Sequence, residues 1–410
     1  MDSVGQSSVA TTSAKSEGTQ PVELPAAKTT ALDLSVRAML FAAFVGTLIR
    51  QIGMPSLNGA LYPLMVYSLP AAAYLLASTP AVASTLRRYA ESQPLGMALL
   101  ALAPLVPVAA YARAAFDFDP AELLFGAVLI FLPAACAILN VPQLHRADVL
   151  LGLITVAVPL LLPYAPDSGV GAPSEPPTTF GIVMRFGAFL LPVALLVFTT
   201  REQKQRLNFL FVCAALSLWY AAQFRALPDL PIAGDVGVTY FQLAIIPIFL
   251  YVLATAGRFD RLGMSFQPTP RGVSVVTANL ALLAAIGVPV GMVTGALVPA
   301  FQGPPPLDAA AQALSIFLLI ALPQEILFRG VLLTYLQDVL RLNAGIAAII
   351  SAVLFGAAHL SGPADLGWPF ILAVLTGVFC ARAFLATRNV VAAGVVHTFA
   401  RWVKWLLFGG

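Results

Sequence analysis

The stretch "ALPQEILFRGVLL", residues Ala321 to Leu333, sets a Gln, a Glu and an Arg inside one of the most apolar parts of the chain. Charged groups lose their hydration in such surroundings, so they persist only where something compensates them. The surroundings read as membrane. Of 410 residues, 59% are hydrophobic and 10% are charged, and mean hydropathy is +0.88. A soluble domain carries about 25% charged residues. This chain has too little polar surface to face water on all sides. Apolar runs close to the roughly 20 residues that cross a bilayer as a helix recur along it. The expected fold is therefore all-α, a polytopic transmembrane helix bundle of about 13 membrane helices. Their spans fall near 37–52, 57–78, 95–115, 121–139, 147–164, 180–199, 208–224, 238–256, 275–299, 309–337, 344–360, 366–386 and 390–408.

Three regions are expected. Residues 1–33 are rich in Ser, Thr, Pro, Ala and Lys, and read as a disordered polar tail. No apolar core follows a short basic start, so the tail does not read as a secretory signal. Residues 34–260 form an N-terminal eight-helix membrane region of unknown role. The polar, Pro-containing segment "RFDRLGMSFQPTPRG" at 258–272 separates it from residues 261–410, which hold five helices and most of the intramembrane polar residues.

With the N-terminus in the cytoplasm, one set of loops collects Arg87, Arg88, Arg146, the cluster from Arg201 to Arg206, Arg258, Arg261, Arg271, Arg341, Arg382 and Arg388. This is the positive-inside pattern of a plasma-membrane protein. Arg401 and Lys404 break it, because they fall towards the outer end of the last helix. Nothing in the net charge of +3 or its distribution forms a basic stripe for nucleic acid. Cys136, Cys213 and Cys380 are far apart in apolar runs and read as small packing residues.

The chain has three histidines. His145 sits beside Arg146 and reads as a solvated loop residue. His359, in "LFGAAHL", and His397, in "GVVHTFA", lie in apolar helices. Ionisable residues there are rare and mark functional sites by default. Each also has a bland reading: a lone His can cap a helix, and Glu325 with Arg329 can form an i,i+4 pair. Taken together, a Glu, an Arg and two His on three apolar helices suit water activation. One group takes a proton, and another stabilises an oxyanion or protonates a leaving amine. Two His and one Glu are also a ligand set for catalytic zinc, although no HExxH helix is present. Hydroxyls at Ser351, Ser361 and Thr398 are the nearest groups that could brace the two rings, and no carboxylate lies within one helical turn of either. Pro323 is expected to interrupt its helix and free a backbone carbonyl beside these groups.

Glu325-x-x-x-Arg329-Gly330, then Phe355-x-x-x-His359, then His397 resemble the motifs of the CPBP group, the CAAX protease and bacteriocin-processing (Abi) family of intramembrane endopeptidases. The resemblance covers about residues 265–410. It implies a multi-pass peptidase of the bacterial inner (plasma) membrane. Such an enzyme cleaves a protein or peptide substrate that is membrane-associated or lipid-modified at its C-terminus. It implies a glutamate-activated water with no cofactor, zinc being the other option. Glu325 would be the base, His359 would share or relay the proton, and His397 would stabilise the oxyanion or protonate the leaving group. Arg329 would hold Glu325, with Gln324, Phe355 and Arg401 in support.

Two positions depart from the family pattern. Its first motif begins Glu-Glu, and Gln324 stands at the first place. An amide takes up no proton near neutrality. An Asn or similar residue is expected four positions after the last His, where Arg401 stands. Arg401 could serve as a charged donor or snorkel at a helix end. These departures favour the alternative: a catalytically impaired protein on the same scaffold, acting as an immunity factor, chaperone or partner-binding subunit.

Overall fold

The computed structural model describes residues 30–52, 57–93, 263–301, 303–360 and 366–408, together with single helical positions at 96 and 100 and seven between 212 and 220. The spans expected near 121–139, 147–164, 180–199 and 238–256 lie outside the described residues, as do the span near 95–115 apart from positions 96 and 100, residues 1–29, Cys136 and His145.

Among the described residues the structure is all helical, without strands. The helices are α1 (Ala31–Ile52), α2 (Leu57–Ala77), α3 (Pro80–Ser92), α4 (Pro270–Val293), α5 (Pro306–Val339), α6 (Ala344–Ala357), α7 (Trp368–Thr387) and α8 (Val390–Phe408). Five are long and apolar enough to cross a membrane: α1, α4, α5, α7 and α8. The pair α2–α3, bent by 97°, makes a sixth if it counts as one span. The expected count of about 13 is not confirmed by this set. Apolar exposed side chains such as Leu282, Ile286, Ile346 and Ile371 face outward from α4, α6 and α7, as they would towards lipid.

Three expected boundaries change. The polar tail ends earlier, because α1 begins at Ala31, with the Thr30 hydroxyl accepting the Asp33 N–H at 3.1 Å. That is an N-cap, which starts a helix where composition alone suggests coil. Arg87 and Arg88, expected in a loop, are exposed on the amphipathic α3, which Thr79 caps and Pro80 opens. The span expected at 344–360 is a helix of only 14 residues. At 1.5 Å per residue it reaches about 21 Å, short of the roughly 30 Å hydrocarbon core.

The central element is α5. In its most apolar window 94% of residues are buried, against 17% to 33% for the other four candidate spans. It is not a plain α-helix. The stretches Ile316–Ala321, Ile326–Leu333 and Tyr335–Val339 are π-helical. Leu322 N–H accordingly bonds Phe317 O, five residues back. Runs of π-helix are rare and gather at functional sites. Between the first two lies one α-turn, Leu322–Glu325. Pro323 has no N–H, so the next bond in register, to Leu318 O, cannot form. The Tyr74 hydroxyl of α2 donates to Leu318 O at 2.5 Å instead. This is the carbonyl that the Pro323 argument anticipates.

The segment before α4 is stapled across the bundle. Asn389 gives its side-chain N–H to Ser265 O at 2.7 Å and accepts Ser265 N–H at 3.2 Å. Val390 N–H bonds Gly263 O at 2.9 Å. Gly263 has φ +58°, and a Cβ there would run into the Arg388 carbonyl. Left-handed backbone alone costs a non-Gly residue roughly 1–3 kcal/mol. Gly263→Ala should cost at least that much, read as a lower melting temperature of the detergent-solubilised protein, whereas Ala at exposed Gly295, with open space around it, should pay the conformational cost alone.

Candidate active site

Three helices bring the polar residues together. The α-turn of α5 carries Gln324 and Glu325, and the π-stretch after it carries Arg329. The end of α6 carries Phe355, and the turn beyond it His359. The middle of α8 carries His397, with small residues around it. Gly394, one turn earlier, lets α8 approach Phe317 and Leu322 of α5.

Glu325 and Arg329 are both 0% exposed. His397 Nδ1–H donates to Glu325 Oε1 at 3.0 Å. Arg329 Nε lies 3.0 Å from Glu325 Oε2. That contact is a close ion pair without the alignment of a hydrogen bond, since both atoms lack a hydrogen-bond partner. Both carboxylate oxygens are thus engaged. The guanidinium is held by two further groups. Its Nη2 donates to Gly377 O of α7 at 2.7 Å, and its carbon lies 4.5 Å from the centroid of the Phe355 ring. Cation–π contact of this kind stabilises a desolvated charge. Glycine suits position 377, because a Cβ would lie 3.0 Å from Ala352 Cα and press α6 and α7 apart. That close approach is what brings the carbonyl to Arg329.

Phe355 is the hub of the cluster. Its ring centroid is 4.6 Å from that of His359 and 5.1 Å from that of His397, and the two imidazoles are 6.1 Å apart. His359 Nδ1–H donates to Phe355 O at 2.9 Å. Each ring therefore spends Nδ1 on a protein acceptor. In the neutral ring that leaves Nε2 as the atom with a free lone pair. Among the described residues Nε2 of neither ring has a hydrogen-bond partner.

Glu325, Arg329, Phe355, His359 and His397 are brought together as expected from the motifs. Gln324 is buried beside them, and its Oε1 has no hydrogen-bond partner among the described residues. Arg401 is not part of the contact set. It is exposed on α8 and makes no hydrogen bond or ion pair among the described residues, although its charge reaches both imidazoles.

Several site neighbours escape sequence reading. Cys380, taken as a packing residue, is fully buried on α7 near the Glu325 carboxylate. Its spacing of three from Gly377 put both on one face of α7, the available signal. Ser351 donates to Phe328 O at 2.9 Å, bracing α5 rather than an imidazole. Trp402 of α8 donates to Ala309 O of α5 at 2.9 Å. Asp365 and Ser361 lie outside the described residues.

A carboxylate, a guanidinium and two imidazoles, gathered inside a membrane-type helix bundle, form the kind of group that handles protons away from bulk water. The comparison with known families agrees. Residues 306–403 match the family model described as type II CAAX prenyl endopeptidase Rce1-like. The match runs from the start of α5 into α8 and contains every residue of the cluster, consistent with the CPBP resemblance. It spans 98 of 410 residues (306 to 403 inclusive), so the likeness is that of this segment. No curated protein and no solved structure matches the chain.

Proposed function

We propose that the chain is an intramembrane endopeptidase that hydrolyses a peptide bond of a membrane-associated or C-terminally lipid-modified protein, with water activated by the Glu325, His397 and His359 cluster. The observation that carries this reading is the buried bond from His397 Nδ1 to Glu325 Oε1 at 3.0 Å. A carboxylate on Nδ1 fixes the tautomer, aims Nε2 and stabilises the imidazolium that forms. His397 Nε2 takes a proton from water as the water oxygen bonds to the scissile carbonyl carbon. The carbonyl oxygen becomes the oxyanion, and His359 stands 6.1 Å away, ring to ring, with an Nε2 lone pair that can relay the proton. The C–N bond then breaks, and the imidazolium returns its proton to the leaving nitrogen. Glu325 acts in this scheme through His397, and Arg329 keeps the carboxylate charged and in place.

The donor set favours water over zinc. A zinc ion needs ligands at about 2.0–2.2 Å, and the Glu325 carboxylate is already neutralised by Arg329. No three His, Cys, Asp or Glu side chains among the described residues converge closely enough to hold a metal.

A second reading, a non-catalytic protein on the same scaffold, has its own support. Both Glu325 oxygens are engaged, and Gln324 beside it cannot ionise. Incubating the purified protein with farnesylated C-terminal peptides, with mass spectrometry of the products, separates the two. Peptidase activity predicts cleavage by the native chain, changed less than about tenfold in Gln324→Glu and lost by about 10²–10⁴-fold in His397→Ala. A silent native chain that gains cleavage as Gln324→Glu would establish the second reading. Silence in both would remove this substrate class.

A further inference from the structure

Two tyrosine hydroxyls from the N-terminal membrane region reach the helices that carry the site. Tyr74 of α2, fully buried, donates to Leu318 O of α5 at 2.5 Å. Tyr220, one of the seven described helical positions between 212 and 220 and also fully buried, donates to Leu354 O of α6 at 2.6 Å. The Tyr220 ring lies 6.5 Å from that of Phe328 on α5.

Both acceptors sit where the backbone departs from a regular α-helix. Leu318 O is left without an N–H by Pro323, just before Gln324 and Glu325. Leu354 O precedes Phe355 and also takes the Ala358 N–H at 3.2 Å, at the turn where α6 ends. His359 projects from that turn, its own N–H on Gly356 O at 2.9 Å. An orphaned carbonyl in an apolar bundle is costly, so the Tyr74 hydroxyl has a task that Phe could not perform, while the Tyr220 hydroxyl gives Leu354 O a second donor beside the Ala358 N–H. They meet two different helices from two separate N-terminal segments, and each holds the irregular turn from which a site side chain emerges.

We propose that Tyr74 and Tyr220 are positioning residues, through which the N-terminal membrane region sets the angle at which Glu325 and His359 meet His397. The N-terminal helices are then a working part of the site. The cluster's geometry is the quantity at stake, so the proposal stands whether or not the chain cleaves peptides.

The chain's three histidines make a direct readout practical. In nitrogen-15-histidine-labelled protein carrying His145→Gln, only His359 and His397 report. Tyr220→Phe should shift the His359 ring resonances, and Tyr74→Phe those of His397 through Glu325. Amide exchange should quicken about tenfold at Leu322 for Tyr74→Phe and at His359 for Tyr220→Phe, the loss of one hydrogen bond each. Pro323→Ala restores an N–H that can serve Leu318 O from within α5. In that background, Tyr74→Phe should lose at least about half of its effect on His397, as coupled sites do. Ring resonances unchanged in both tyrosine variants, even with a lower melting temperature, would reduce the hydroxyls to plain staples and overturn the proposal. So would an undiminished Tyr74→Phe effect in the Pro323→Ala background.

Discussion

Glu325→Gln should lower peptide hydrolysis by about 10²–10⁴-fold, the usual loss when a proton-transfer apparatus is broken. The Gln can still accept the His397 Nδ1–H through its Oε1, so the ring keeps its tautomer. What it loses is the negative charge that stabilises the imidazolium. The same substitution leaves Arg329 as a buried cation without its counter-ion, and such a loss costs about 3–5 kcal/mol of stability. Rate and stability must therefore be measured together. Glu325→Asp separates them. Its charge stays for Arg329, but the shorter side chain draws the carboxylate away from His397, now 3.0 Å distant. Activity should fall in Glu325→Asp while the melting temperature stays closer to that of the native protein. Gln324→Ala should only slow the reaction, because an amide accepts no proton. Hydrolysis by Glu325→Gln at the native rate would remove Glu325 from the mechanism. Equal losses in Glu325→Gln and Gln324→Ala would assign both to orienting the water.

The cluster was legible because its members are rare where they stand. A Glu, an Arg and two His in apolar helices announce themselves against a background of Leu, Ala and Val, and Phe355 is tied to His359 by spacing. Its neighbours carry no such contrast. Cys380 and Gly377 are ordinary in an apolar helix, and only the close approach of α7 gives them partners. Tyr74 is one of 10 tyrosines. Pro323 signals that a carbonyl is freed, but not which distant hydroxyl takes it. Arg401 keeps both of its readings: it is exposed on α8 and outside the contact set, yet its charge acts on both imidazoles. Hydropathy also misjudged α6, since 14 apolar residues and 17 apolar residues look alike until the ends are capped. Asn343 accepts the Gly345 N–H at 2.8 Å and starts α6, and the turn at Ala358 ends it. The start of α1 at Ala31 was equally hard to read, because composition separates Asp33 from Arg37, which form one unit.

That unit supplies the largest expected loss of stability. Arg37 and Asp33 are 3% and 4% exposed, four apart on α1, with Nε to Oδ2 at 2.7 Å. Arg37 Nη1 donates to Leu75 O at 2.7 Å and to the Ser78 hydroxyl, and Nη2 donates to Met264 O at 2.9 Å. Asp33 Oδ1 accepts the Phe266 N–H at 2.5 Å. One guanidinium therefore joins α1, the end of α2 and the segment that leads into α4. It also lies 4.5 Å from the Phe266 ring centroid, and Phe266 meets Phe317 of α5 edge to face at 6.4 Å. Arg37→Met fills much of the same volume but leaves Asp33 as a buried unpaired charge and takes the donor from Met264 O and the Ser78 oxygen, while Leu75 O keeps the Ser78 O–H. Breaking a buried pair in this way costs about 3–5 kcal/mol, with orphaned acceptors adding to it. Arg37→Lys keeps the charge, but a single ammonium lacks the planar fork that spans these acceptors. It should recover only part of the loss. Removing both charges, as Asp33→Asn with Arg37→Met, should be milder than Arg37→Met alone, since no charge is then left unpaired. Unfolding of the purified protein in mixed detergent should rank native, then Arg37→Lys, then Arg37→Met. A Lys variant equal to the native protein would show that charge alone matters there. An Arg37→Met cost below about 1 kcal/mol, the value typical of a surface pair, would show that α1 is not locked to the segment before α4 by this residue.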